Sequence, residues 1–423
     1  MPRYFLADLK TGRQILDLPV LSGPWSDQLN GTESIDVTLD MQDPDVIALG
    51  LRNTASPGKT ILAVAEGDFI LAAGPIWVRI YDRDSKTVKL SAKGMWSYFD
   101  HRLIIPLAAL TTGVTQFIVP DPADPTKTIP NPALNTEHTM QSYGTIAKRW
   151  VQQAQAWTGG NVPVVFQADE AGTFERNTIG AEFKNLGDAL SQLTQLEKGP
   201  DIKFQPRFTA DKLGIEWLLR TGTTAQPQLA STTIHRWDVT VPESSVSNLT
   251  INEDSSAMAS LAWLNGGRSG DTVLVARSYD KTLVDFGYPL FETVDSSHST
   301  VELQSTLDDY AAENTTAGRG PYEVWSFDAE ANQQPYLGSY GVGDYCDLHF
   351  APYIPETGAS ETLYPSADLY PSESLYPTGK PVWDSPGDPY LIEGGEYRQR
   401  IIGISGDEKS ETVRINCAPS RAV

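Results

Sequence analysis

Residues able to do chemistry are few and scattered in this chain. Five histidines, His101, His138, His235, His298 and His349, stand singly. None forms the His-x-x-x-His or His-Glu-x-x-His spacing that lets a helix offer two imidazoles to one metal. The two cysteines, Cys346 and Cys417, are too few for a disulfide framework or a cysteine-rich metal site. His349 follows Cys346 by three residues, but in an extended strand that spacing sends the side chains to opposite faces, so no thiolate–imidazole pair is expected. No Gly-x-Ser-x-Gly elbow occurs. Gly266-Gly267-Arg268-Ser269-Gly270 has the glycines of a phosphate loop without the Lys-Ser/Thr that would open a helix, and reads as a hairpin turn. The 54 acidic residues always supply some pair of carboxylates, so a glycosidase-like pair carries no weight. Asp271, Asp308, Asp309 and Glu313 read as solvated faces. No catalytic, cofactor-binding or metal-binding residue is assigned, and no cofactor is expected.

One segment does repeat. Between Glu361 and Gly379, "ETLYPSADLYPSESLYPTG" carries Leu-Tyr-Pro three times at a spacing of six, as Leu363-Tyr364, Leu369-Tyr370 and Leu375-Tyr376. A helix would scatter residues six apart over different faces and be broken by the prolines. In polyproline II the tyrosines fall on one side, roughly 19 Å apart. As successive type I turns, each proline takes the second turn position and Gly379 suits the end of the third. Either form leaves leucine and tyrosine exposed at a cost. These six residues are therefore candidate partner contacts, with an idle loop and capture of a peptide or sugar as the alternatives.

Those groups sit in a chain of 423 residues, long enough for two to four domains. Hydrophobic residues make up 40% and charged residues 20%, as in folded proteins. No apolar run reaches the ~18 residues of a membrane span, and the opening MPRYFLADLKTGRQ has neither the basic nor the apolar region of a signal peptide, so synthesis in a cytoplasm without export is expected. The net charge is −22, and no basic face of the kind with which proteins grip phosphates is visible in the sequence. Such acidity serves solubility, or a surface past which DNA slides without sticking.

The elements read as strand-rich, then mixed, then strand-rich again. Arg3–Leu9 and Gln14–Leu18 flank a turn at Lys10-Thr11-Gly12. Ser34–Leu39, Thr60–Ala65, Phe69–Ala72, Ile76–Tyr81 and Thr87–Ala92 follow as short strands, which suits a barrel or small sandwich. A short helix at Pro44–Leu51 has Asp43 as its cap. Val119–Pro132 holds five prolines without periodicity and reads as a boundary or exposed excursion. Two helices carry apolar stripes, Tyr143, Ile146, Ala147, Trp150, Ala154 and Trp157 in one, and Leu186, Ala189, Leu190 and Leu193 in the other. At that spacing the aromatics are core residues rather than a ligand platform. A hairpin of Ile202–Phe208 and Leu213–Leu219 completes a small α/β region. Strands return at His235–Val241, Val246–Ile251, Met258–Asn265 and Thr272–Ser278. A helix is expected to open at the capping box Ser299-Thr300-Val301-Glu302 and to bury Leu303, Leu307, Tyr310 and Ala311. Tyr322–Phe327, Asp344–Phe350, Tyr397–Ser405 and Thr412–Cys417 close the chain. Alternation makes Cys346 and Cys417 inward-facing, and they are expected as free thiols, though strands of one sheet could bring them together.

The fold class is thus α+β and β-rich, with three domains expected. Residues 1–105 form the first strand-rich domain. Residues 106–232 form the α/β domain with its proline-rich entry at 119–132. Residues 233–423 form a second strand-rich domain, with a helix at 300–314 and the Leu-Tyr-Pro arm within 351–390.

The stretches "LPVLSGPWSDQLNGTESIDVTL" and "GDFILAAGPIWVRIYDRDSKTVKLSAKGMWSYFDHRLI", with the closing "GVGDYCDLHF…EYRQRIIGISGDEKSETVRINC", resemble minor tail proteins of long-tailed phages, notably those of actinobacterial hosts, in the tail or baseplate hub family. Asp68–Ile76 and Trp96–Leu103 carry the likeness at the N-terminal end, and Leu-Tyr-Pro-Ser repeats recur between the closing strands of such proteins. The resemblance covers nearly the whole chain in loose patterns. It implies two β-barrel-like domains separated by the α/β domain, a homotrimeric ring at the virion tail tip, and no catalytic residue. It also implies as partners the distal tail protein, the tape measure protein and the tail fibre or receptor-binding proteins. DNA would pass through the lumen without specific binding, and this chain would not insert into a membrane. Some relatives carry a downstream hydrolase or fibre, and with the last hairpin ending near Val423 none is expected here. A tail-tip glycan binder or wall-degrading enzyme is the alternative, and a secreted adhesin a weaker one.

Overall fold

The fold, seen in a computed structural model, is described for residues 2–353 and 387–419, except positions 112, 114, 115, 197, 270, 271, 299, 300, 302 and 410. It is β-rich, with short helices between strands. The chain divides into two compact units. One holds Met1–Leu229 and Asn252–Glu323, the other Ala230–Ile251 and Val324–Val423.

The first unit begins with an antiparallel sheet of β1 (Arg3–Asp8), β2 (Gln14–Leu18), β3 (Trp25–Gln28), β4 (Ser34–Asp40), β5 (Thr60–Glu66), β6 (Phe69–Asp82) and β7 (Thr87–Lys93). Their order across the sheet is β3-β4-β7-β6-β5-β1-β2. Period-two patterning dictates the pairing: Ile35, Val37 and Leu39 of β4 are buried opposite Ala92, Leu90 and Val88 of β7. Phe69–Ala72 and Ile76–Tyr81, expected as two strands, are one continuous strand. Its first half pairs β5 up to Pro75, its second half pairs β7 from Ile76, and a bulge between Ile76 and Val78 marks the corner. Gly74 sits at this crossing because a Cβ there would lie 1.8 Å from the Lys93 carbonyl oxygen. Among the described residues no pairing joins β2 back to β3, so this sheet closes no barrel.

The α/β region packs on that sheet within the same unit. The helix Tyr143–Gln155 is capped by Ser142, whose Oγ accepts from Thr145 N at 3.1 Å, and Leu186–Thr194 is capped by Asn185, whose Oδ1 accepts from Asp188 N at 3.1 Å. Ile202–Phe208 runs antiparallel to Ile215–Thr221, which pairs in parallel with Val164–Phe166. Phe5, Ile61, Phe99, Trp150, Leu190, Phe204 and Trp217 meet in one buried cluster. Trp150 is core, as its spacing predicts, while Trp157 is half-buried and donates its indole N–H to Ile105 O at 3.1 Å. The proline-rich segment holds a small hairpin, Ile118–Pro120 paired with Thr128–Pro130. Asp121 and Asp124 accept backbone N–H bonds in its turn, which fixes without periodicity what periodicity could not announce.

The same core includes residues 252–323. Leu261–Ser269 pairs antiparallel with Thr272–Tyr279 and in parallel with Glu292–Asp295, so Gly266–Ser269 belong to a paired strand. The helix Gln304–Ala317 covers one face of this three-stranded sheet, burying Leu307, Tyr310 and Ala311. It starts later than the expected 300–314: Leu303 holds the cap position without a side-chain bond and is 43% exposed rather than buried. Packing at 307, 310 and 311 sets the helix position, and the cap residue follows it. The residues Ser299, Thr300 and Glu302 of the expected box lie outside the described residues.

In the second unit the strand order is His235–Asp238, Tyr345–Phe350, Gly395–Gly406, Thr412–Pro419, Tyr322–Glu330, then Val246–Asp254, and no described pairing closes it into a barrel. Trp237 packs edge-on to Phe327 at 5.4 Å, and Trp325 to Phe350 at 5.9 Å. Cys346 and Cys417 are fully buried free thiols with their sulfurs 3.7 Å apart. Their strands lie on either side of Gly395–Gly406, so this sheet does bring the two inward-facing residues together.

Candidate functional site

The candidate contacts Leu363, Tyr364, Leu369, Tyr370, Leu375 and Tyr376 all lie outside the described residues. Chemistry elsewhere must therefore be judged from side chains that converge. The histidines do not. His101 lies against Trp77 at 4.6 Å, and His298 stacks on Tyr310 at 3.8 Å while its Nε2 meets Asp295 Oδ2 at 3.0 Å. Burial holds the His235 pKa below the ordinary value against the pull of Asp344, 3.8 Å away. His349 faces Asp238 at 3.0 Å on the strand face away from buried Cys346. Among the described residues no group of three or more His, Cys, Asp or Glu could hold a metal ion. The cleft between the turns around Thr11 and Thr209, about 590 Å³, is lined by Arg13 and by Thr209. The Thr209 hydroxyl donates to Asp211 Oδ1 at 2.5 Å, in a pair that also bonds the turn's own backbone at Leu213 N and Gly214 N.

The strongest electrostatic arrangement is structural. Lys203, on the strand Ile202–Phe208, is 4% exposed and meets two carboxylates: Asp27, in direct contact, and Glu33, whose Oε1 is 2.6 Å from Nζ. Sequence reasoning missed all three, since they lie 176 and 170 residues apart and no local pattern links them. The loop carrying the acids is pinned at its centre. Asn30, at φ 53°, accepts from Ile202 N at 2.8 Å and donates to Asp201 Oδ1 at 2.8 Å. Asp201 in turn accepts from Leu229 N at 2.8 Å. Gly94 leaves room for Glu33, because a Cβ there would sit 1.6 Å from Glu33 Oε2.

Burial dominates the titration of this cluster. It pushes Glu33 up to about 7, with the Asp27 charge adding to the effect and Lys203 opposing it. Asp27 is raised by burial too, against the same lysine. Burial works against the Lys203 ammonium, but the two carboxylates outweigh it and hold its pKa above the ordinary value. Two acids and a buried base could be mistaken for general acid–base machinery. Their side chains are only 2–13% exposed and fill the space between them, which leaves no place for a substrate.

No protein-family model matches the sequence, and no curated protein matches it. Solved structures do match in fold. The tail protein from Neisseria meningitidis MC58 aligns over 99% of this chain and 97% of its own, with a TM-score of 0.50 at 11% identity. The 43 kDa tail protein of prophage MuSo2 from Shewanella oneidensis aligns over 99% and 98%, with a TM-score of 0.50 at 10% identity. The chain has the fold of these tail proteins. Within this tail-protein fold the Lys203 cluster ties the β3–β4 loop to the α/β region, in the first unit. Among the described residues, no helix of the tail-protein fold is long and apolar enough to cross a membrane.

Proposed function

We propose that this chain is a non-enzymatic structural protein of a phage tail tip. It acts as a tail or baseplate hub, assembled as a homotrimeric ring in the virion after synthesis in the host cytoplasm. The ring joins the tail tube and distal tail protein to the tip and receptor-binding proteins, and forms the path by which the tape measure protein and DNA leave. The observation that carries this reading is the end-to-end match to two tail proteins, one of them from a prophage, at near-complete coverage of both partners. In this reading the strand-rich parts of 1–105 and 233–423 supply the two hub domains and 106–232 lies between them in sequence, while residues 252–323 pack in the core of the first unit. The net charge of −22 supports passage of DNA without adhesion. Electron cryo-microscopy of an intact virion tests the reading: a threefold ring of this chain directly beneath the sixfold tube is expected, and peripheral copies or absence from the particle overturn it.

The Leu-Tyr-Pro segment is, in this scheme, an arm that contacts a neighbouring subunit or a fibre through Leu363, Tyr364, Leu369, Tyr370, Leu375 and Tyr376. Deleting Ser360–Gly379 is expected to lower the yield of infectious particles at least tenfold, read by plaque count and by tail morphology in negative stain. Normal tails with normal adsorption refute the arm.

A further inference from the structure

Asn30 is followed by Gly31 in the loop between β3 and β4, and the pair Asn-Gly occurs again only at Asn265-Gly266. An asparagine before glycine is chemically labile, because glycine has no side chain to shield its backbone nitrogen. That nitrogen attacks the asparagine Cγ: the N–Cγ bond forms, the Cγ–Nδ2 bond breaks, and the nitrogen's proton leaves with the amine as ammonia. Water then opens the resulting succinimide at either carbonyl, giving aspartate or isoaspartate. No enzyme and no oxidant are needed. The rate depends on whether the side-chain amide can turn to meet the nitrogen.

At Asn30 the fold holds both ends of that amide. Oδ1 accepts from Ile202 N and Nδ2 donates to Asp201 Oδ1, each at 2.8 Å, so the amide plane is fixed against the start of the strand Ile202–Phe208. Asp201 is buried and anchored in turn by Leu229 N. Asn30 itself is half-buried, within reach of water. The loop that carries it is tied down on either side, at Asp27 and at Glu33, through Lys203. Asn265 is held differently, in a strand where it pairs with Val275. Freeing Asn30 needs only the loop to lift, whereas freeing Asn265 needs the sheet to come apart. The products do not fit the closed loop. Aspartate at position 30 sets a carboxylate against Asp201 Oδ1 where an N–H stood, on a loop that already carries Asp27 and Glu33. Isoaspartate also adds a methylene to the backbone. Neither product carries the N–H that binds Asp201.

We infer that Asn30 is a site of spontaneous deamidation, gated by the loop that Lys203 ties down, and that its product keeps this loop from closing as before. The inference goes beyond the hub reading and does not rest on it. In a particle that never replaces its proteins, each such event is permanent. Incubation of the full chain at pH 8, with conversion at Asn30 and Asn265 followed by peptide mass spectrometry, tests it. In the folded wild type Asn30 is expected to convert at least tenfold more slowly than in denaturing urea. Lys203→Met should recover most of the unfolded rate at Asn30 while Asn265 stays slow. A wild-type rate equal to that in urea, or a variant rate at Asn30 no faster than wild type, overturns the inference. If Asn265 accelerates equally in the variant, the unit has unfolded, and wild type in graded sub-denaturing urea decides. Asn30 should then accelerate at a lower urea concentration than Asn265, and coincident acceleration overturns the gating. Asn30→Asp reproduces the product and should speed amide exchange at Ile202 at least tenfold; unchanged exchange overturns the claim that the product holds the loop open.

Discussion

Lys203→Met is expected to destabilise the first unit by about 3–5 kcal/mol, the usual cost of removing one partner from a buried ion cluster. The methionine fills much of the same volume, so the loss is electrostatic rather than a cavity. With the ammonium gone, Asp27 and Glu33 face each other in a site with almost no water. Glu33 can escape by taking up a proton, since burial already pushes its pKa to about 7. Asp27 must then be accommodated as a carboxylate beside a thioether or protonated at further cost. The penalty should therefore be smaller at pH 5 than at pH 8. Because the chain contains two units, a single unfolding free energy is not well defined, and the suitable readout is local. Amide exchange at Ile202, whose N–H is held by Asn30, reports the anchoring of the β3–β4 loop. Lys203→Met combined with Asp27→Asn and Glu33→Gln should recover most of the loss, since burying three neutral groups costs less than burying two unpaired charges. Unchanged exchange in the single variant would mean that the cluster contributes no net stability.

How much of this was legible in the sequence depends on the distance over which each feature is specified. Period-two alternation at Ser34–Asp40 and Thr87–Lys93, and the 3.6-residue stripes at 143–155 and 186–194, are local and gave strands and helices close to those observed. Short strands such as Trp25–Gln28, Thr136–Gln141 and Glu292–Asp295 escaped, because their form comes from the neighbour they pair with. Gly74-Pro75 looked like a break. It is instead the point where one strand passes from partner to partner, and only the 1.8 Å approach to Lys93 explains why glycine stands there. The inward direction of Cys346 and Cys417 followed from alternation, but their 3.7 Å separation required the order of three strands. The Lys203 cluster was invisible for the same reason. A lysine between Ile202 and Phe204 reads as an exposed member of an alternating strand, and nothing nearby says that loop 27–33 will cover it. The exposed position of Trp263 was likewise hidden, since it read as an ordinary strand residue until the covering helix was seen on the other side.

Glu33 should also make the stability of the first unit depend on pH in the neutral range. Its carboxyl, with an ordinary value of 4.5, titrates at about 7 in the folded chain because burial disfavours the anion and Asp27 adds repulsion, with Lys203 only partly offsetting them. Between those values the folded state holds a proton that the unfolded state has released. Folding is then most favoured below the unfolded value, and the contribution is lost as pH rises through the folded one. A shift of this size corresponds to at most about 3.5 kcal/mol between pH 4.5 and pH 8, on the scale of about 1.4 kcal/mol per unit. Asp27, raised in the same direction, adds to the trend at its acid end. Glu33→Gln keeps the side-chain shape under Gly94 and can still accept from Lys203 through its amide oxygen, but it cannot titrate. The difference in thermal midpoint between wild type and this variant should therefore change from pH 5 to pH 8, with the wild type losing ground as pH rises. If the difference stays flat, Glu33 titrates in its ordinary range, and the buried lysine neutralises it more completely than burial opposes it.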